Sequence, residues 1–261
     1  MMRKIVKHVL LSLGSIIVTF IFMSCSNIIQ PSVPSSYQET INRFLLIKPS
    51  VQELPAHFLT PDSSKLDNDF NPNQYFTALK HLSLRPGYVL DFVYYLAGGG
   101  GEPILYVRSV NQKPYVDYED FVSATGEQDL DQWRYGFIND IQADDSEEGY
   151  FELIVLRTMG AEFYQFGLAS YNDSEIVGDQ SGLNTLSAWP NIPNNVQQKA
   201  RNINFQPIIT MRSDTVQIKI ILFSKWGGFS RETLIVDRKF PHKMISDQSE
   251  ILVPFESDLQ Y

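Results

Sequence analysis

Side-chain catalysis needs a nucleophile, a base or a matched pair of acids, and this chain offers few of each. Its one cysteine is Cys25, and its four histidines are His8, His57, His81 and His242. A Ser-His-Asp site needs its members adjacent only in space, so His57, His81 and His242 stand as candidate bases. None sits in a catalytic motif. Gly178-Asp179-Gln180-Ser181-Gly182 has the wrong spacing for a G-x-S-x-G nucleophile elbow. His81 is expected on the exposed side of a helix, and His242, after Pro241, at the close of a strand.

Carboxylates are more plentiful. Asp91, Glu102, Asp117, Glu119 and Asp120 could supply a hydrolytic pair, which in a glycosidase stands about 5–10 Å apart across a cleft. Asp67-Asn68-Asp69-Phe70-Asn71 begins like a calcium loop, but Pro72 stands where that loop needs Gly and Ala78 where it needs Glu. Asn71 is better read as a helix cap. Asp144, Asp145, Glu147 and Glu148 form a denser cluster that reads as a solvated turn. With no H-E-x-x-H and no paired Cys/His spacing, neither metal nor cofactor is expected. Gly98 to Gly101 precede Glu102 and Pro103, which would repel a phosphate, so these glycines read as a turn.

Aromatic side chains remain. Tyr94, Tyr95, Trp133, Tyr135, Trp189 and Trp226 could form platforms for a sugar or a peptide side chain. Trp226, beside a hairpin turn, is the first candidate for ligand contact, and Trp189, before Pro190, the second.

The N-terminus carries an address. Arg3, Lys4 and Lys7 precede a charge-free run of 15 residues, Val9 to Met23. That run is short for a membrane span and fits the apolar region of a signal peptide. Phe22-Met23-Ser24-Cys25 then resembles the lipobox of bacterial lipoprotein signal peptides, with Phe22 where that family has Leu. The resemblance implies cleavage before Cys25 and a thioether-linked diacylglycerol on its sulfur. A lone cysteine at this place fits that role, and several acyl chains would anchor it stably. The chain is thus expected on the extracytoplasmic side of a bacterial cell membrane or outer membrane. Ser26 follows the Cys without the Asp that resembles an inner-membrane retention signal in many two-membrane bacteria, which leans toward an outer leaflet or outer membrane.

Residues 1–24 hold three of the 21 basic residues and none of the 30 acidic ones, so the mature chain carries −12. That balance excludes a nucleic-acid partner and leaves membrane contact to the lipid. Residues 25–35, with two prolines and no charge, read as a tether.

From 36 to 261 the pattern predicts one α+β domain, mainly an antiparallel sheet with a few peripheral helices. Ser36 and Glu39 have capping-box spacing before a helix ending ahead of Pro49. Residues 49–70 read as a surface loop. A second helix is expected from Asn71, with Tyr75, Phe76, Leu79 and Leu82 on its face. Two strands should flank Gly98–Gly101. Residues 129–142 carry a helical stripe interrupted by Gly136. Tyr150 to Thr158 and Ala161 to Tyr171 read as a hairpin turning at Met159-Gly160. A helix is expected near Pro193 to Ile203. Thr215–Trp226 and Phe229–Phe240 read as a hairpin closed by Gly227-Gly228, with Trp226 opposite Phe229 and Ile220 opposite Ile235.

These observations lead to three functional expectations. One is a lipid-anchored, non-enzymatic module binding a protein, peptide or glycan. Another is an envelope hydrolase using a carboxylate pair, with a purely structural lipoprotein as the third.

Overall fold

A computed structural model describes residues 36–50, 53–60, 63–97, 99–126, 134–171, 174–186 and 188–255. Cys25, the lipobox, the tether and Trp133 lie outside the described residues. Among those described, no helix is long and apolar enough to cross a membrane.

Helix α1 (Tyr37–Leu45) begins where Ser36 accepts a hydrogen bond from the Glu39 backbone N–H at 3.1 Å. It buries Ile41 and Phe44. The loop after it is less superficial than its composition suggests, since Phe58 is fully buried against Tyr94, with ring centroids 4.5 Å apart. Asn71 caps a 3-10 turn, Pro72–Gln74, that runs into the short helix α2 (Tyr75–Ala78). That helix is shorter than expected. Leu82 belongs instead to strand β1 (Leu82–Leu84), which pairs with β4 (Ile141–Ala143).

Strands β2 (Tyr88–Ala97) and β3 (Gly100–Ser109) pair antiparallel along their whole length, as the glycine turn predicts. The short β5 (Phe166–Gly167) extends this sheet beside β3. Helix α3 (Tyr118–Thr125) packs Phe121 on Val93, Ile104 and Tyr106. In the ambiguous 129–142 stretch, Gly136–Asp140 is a 3-10 turn leading into β4.

The largest departure from the sequence reading is α4 (Glu147–Met159), a helix where a strand of a hairpin was expected. Tyr150, Phe151, Leu153, Ile154, Val155, Leu156 and Met159 are all buried. A helix apolar on every side shows no 3.6-residue stripe and resembles a buried strand. Its length decides the matter, because 13 residues exceed an ordinary strand. Ser146 accepts from the Gly149 N–H at 2.9 Å, and Glu147 and Glu148 occupy the first turn, where acids suit the helix dipole.

A five-stranded antiparallel sheet follows. β6 (Ser174–Val177) and β7 (Ile208–Met211) both pair with β8 (Thr215–Ser224), which pairs with β9 (Gly228–Asp237), and β9 with the edge strand β10 (Met244–Val253). Two small helices, α5 (Gln180–Leu183) and α6 (Asn194–Ala200), lie between β6 and β7 in sequence.

The β8–β9 hairpin is real but its register is not the expected one. Phe223 faces Phe229 and Ile220 faces Glu232, with Lys225–Gly227 as a three-residue loop. Gly228 alone carries the left-handed conformation (φ 77°), and a Cβ there would lie 2.3 Å from the Val253 carbonyl oxygen. A three-residue turn followed by a left-handed glycine is a common hairpin closure. The change of register by three residues alters which side chains share a face. Val216, Ile218 and Ile220 then face Val236, Leu234 and Glu232.

The main core joins α4 to those apolar residues, to Phe92, Tyr94 and Leu105 of the β2–β3 hairpin, and to Phe44 of α1. A second cluster gathers Phe223, Phe229, Trp189 and Phe205. The chain is thus a single α+β domain, with its sheets antiparallel throughout.

Candidate functional site

The inward face of β9 alternates Glu232, Leu234, Val236, so the sheet puts one acid into an otherwise apolar row. Glu232 is 9% exposed. Its Oε1 accepts from the Ser230 and Ser249 hydroxyls, each at 2.6 Å. The only fully buried side-chain polar atom without a partner among the described residues is Arg43 Nε. Oε2 of Glu232, which accepts no hydrogen bond there, therefore keeps its access to solvent.

That access is a cleft of about 270 Å³, lined by Glu232, Leu234, Ile220, Glu162, Thr158 and Arg157 among others. Glu162, also nearly buried, accepts from the Ser174 backbone N–H at 2.6 Å and lies 3.5 Å from Lys48 Nζ. Glu102 receives Arg134 at 3.0 Å, and Asp247 receives Arg157 at 3.0 Å. The Arg157 guanidinium also stacks over the Tyr135 ring, 4.1 Å from its centroid.

Tyr135 and Arg157 line a second, larger cavity as well, of about 710 Å³. Here Ile138, Leu153, Ile154, Val236 and Met244 supply an apolar lining, and Arg85, Lys243 and Asp140 supply charge. Arg85 is paired with Asp140. Lys243 is exposed and forms no ion pair among the described residues. The stacked Tyr135 and Arg157 line both cavities, which adjoin there along α4 and β9 and are together called the groove below.

His242 borders the larger cavity, yet its ring is committed. Nε2 accepts from the Ala143 N–H at 3.2 Å and Nδ1 donates to the Asp237 carbonyl at 3.1 Å. It is 3% exposed and lies in the connection between β9 and β10 rather than at the close of a strand. His57 contacts Asp69 at 2.9 Å. His81 lies beyond α2 rather than on it, and its Nδ1 contacts Asp144 at 2.7 Å. Ser146 donates to the same Asp144 at 2.5 Å. The serine thus bonds the acid and not the histidine, an order unsuited to a Ser-His-Asp triad.

Of the five acids proposed for a hydrolytic pair, only Glu102 reaches the cleft. Asp91 is 3% exposed and bonded to Lys65, to Arg108 and to the Phe92 N–H. Asp117 caps α3, and Asp120 accepts from the Val116 N–H. Glu119 is exposed on α3. The acidic turn is likewise occupied, Asp145 receiving Arg238 at 2.7 and 2.8 Å. Among the described residues no three His, Cys, Asp or Glu side chains are grouped as metal ligands.

Neither tryptophan candidate lines the groove. Trp189 is 8% exposed, packed in the second core cluster with Arg201 5.5 Å from its ring, so it offers no open platform. Trp226 is half-buried at the hairpin tip, edge-on to Tyr171 at 5.8 Å. Among the described residues, Tyr135 is the one aromatic candidate from the sequence that lines either cavity. Glu162, Glu232, Arg157 and Lys243 were missed. Glu232 alone had a local signal: an acid in phase with Leu234 and Val236 on an alternating strand.

No protein-family model matches the chain, and no curated protein or solved structure is detectably similar to it.

Proposed function

We propose that this is a lipid-anchored extracytoplasmic binding module that takes its ligand in the groove between α4 and β9. The observation that carries the reading is Glu232, a nearly buried carboxylate held by two serine hydroxyls with its other oxygen open to the cleft. A ligand N–H that replaces water on this open carboxylate oxygen would gain a charge-assisted hydrogen bond in a partly dry site. The groove also combines an apolar lining with a few convergent charges, the usual character of a small-molecule site. The anchor rests on Cys25 and the lipobox resemblance.

Two measurements test this reading. Metabolic labelling with an alkyne fatty acid should mark the wild-type chain and not Cys25→Ala. The purified lipoprotein in detergent, screened by thermal shift against calcium, envelope glycans and short peptides, should give a specific stabilisation. A ligand at a hundred times its dissociation constant adds about 2.7 kcal/mol, enough for several degrees. No stabilisation by any class would refute the binding reading and favour a structural lipoprotein.

A hydrolase is the second reading, favoured by one observation: Glu162 and Glu232 line the same cleft. It requires turnover of an envelope glycan that Glu162→Gln and Glu232→Gln each abolish. Binding without turnover would remove it.

A further inference from the structure

The groove is charged differently at its two ends. On β9 its lining passes from Glu232 and Leu234 to Val236, and on α4 it runs the other way, from Thr158 back to Leu153. Glu232 and Glu162 stand at one end, Lys243 and Arg85 at the other. The remaining charges neutralise one another: Arg134 with Glu102, Arg157 with Asp247, Arg85 with Asp140. Two groups stay uncommitted, the Oε2 of Glu232 and the ammonium of Lys243. An acid at one end, a base at the other and Leu153, Ile154, Val236 and Met244 between them define a dipolar ligand with an apolar middle.

We propose that the groove binds a short linear peptide with free termini, its α-ammonium against Glu232 and its α-carboxylate against Lys243. This deepens the binding reading and rests on it. Length agrees with the assignment. Glu232 and Val236 are four steps apart along β9, roughly 14 Å at the rise of a strand. A peptide of about four extended residues covers that distance. The Glu232 carboxylate is held in place before the ligand arrives, which lowers the cost of ordering it. The Arg157–Tyr135 stack borders both cavities, so a peptide that spans them passes beside it.

The test uses the purified lipoprotein and a pool of tetrapeptides with apolar central residues, supplied free, N-acetylated or C-amidated. Equilibrium dialysis with mass-spectrometric detection gives affinities. Free peptides should bind about tenfold tighter than either blocked form, the usual weight of a charge-assisted contact in a partly dry site. Glu232→Gln, which keeps an oxygen for the two serines, should weaken free peptides about tenfold and leave N-acetylated ones unchanged. Lys243→Met should do the same for the C-terminal block. Equal affinity for free and blocked peptides, or equal losses for both in the variants, would overturn the proposal. So would a thermal shift from a glycan, abolished by Glu232→Gln, with no peptide bound. That result would keep the binding module and discard the peptide.

Discussion

Among the described residues two strands carry a nearly buried carboxylate, and the two are treated in opposite ways. On β2, Asp91 is met by an ammonium, a guanidinium and a backbone N–H, which together occupy both of its oxygens. On β9, Glu232 has two hydroxyl donors on one oxygen and none on the other. Asp91 is 3% exposed and sealed against Lys65 and Arg108, while Glu232 opens into a cleft. A charge buried with its full complement of partners is structural. A charge held still but left half-partnered is prepared for something that arrives from outside.

The sharpest way to break this contrast is to remove the sealed acid. Asp91→Ala leaves Lys65 and Arg108 facing each other, half-buried and uncompensated, and should cost about 3 kcal/mol or more in urea unfolding. Next comes the register that brings Glu232 inward. Gly228→Ala forces a Cβ against the Val253 carbonyl at a positive φ, and a loss of roughly 2 kcal/mol is expected by the same measurement. Glu232→Gln should change stability by less than about 1 kcal/mol, because the serine hydroxyls keep their acceptor.

The smallest effect belongs to an exposed pair that serves as the reference. His81 has its pKa raised, first by its hydrogen bond to Asp144. Asp144 is held low: desolvation raises it, but bonds from Ser146 and His81 outweigh that. The histidine's contribution is complete below about pH 6.5 and lost as pH rises through its higher folded value. The aspartate's is present above about pH 4 and lost as pH falls through its lower folded value. Both act together between these limits. With side chains 40% and 48% exposed, screening keeps the sum below about 1 kcal/mol. Urea titrations from pH 3 to 9 should show this shallow maximum in the wild type and lose it in His81→Gln.

Much of the fold was legible because it is written locally. Ser36 and Asn71 cap what their spacing says they cap, and the glycines after Ala97 turn one strand into the next. Helix α4 was not legible, since burial on every side erases the stripe by which helices are recognised. The hairpin register failed for a related reason. Gly227-Gly228 names a turn, but whether one or both glycines take a positive φ depends on how Phe223 and Phe229 pack, ring centroids 4.9 Å apart. That choice decides whether Ile220 faces Ile235 or Glu232. The site was hidden behind the register. Glu102 and Tyr135 could be named from sequence, but nothing local distinguishes Arg157 or Lys243, which α4 and the β9–β10 connection bring to one groove.

The most direct test sets the two acids side by side in one experiment. Asp91→Asn and Glu232→Gln would each be assayed for urea stability and for affinity toward free tetrapeptides. Asp91→Asn should lose stability and keep its affinity per folded molecule, while Glu232→Gln keeps its stability and loses about tenfold in affinity. If Glu232→Gln instead unfolds as readily as Asp91→Asn and its folded fraction binds peptides undiminished, Glu232 is a structural residue and the groove is not a binding site of this kind.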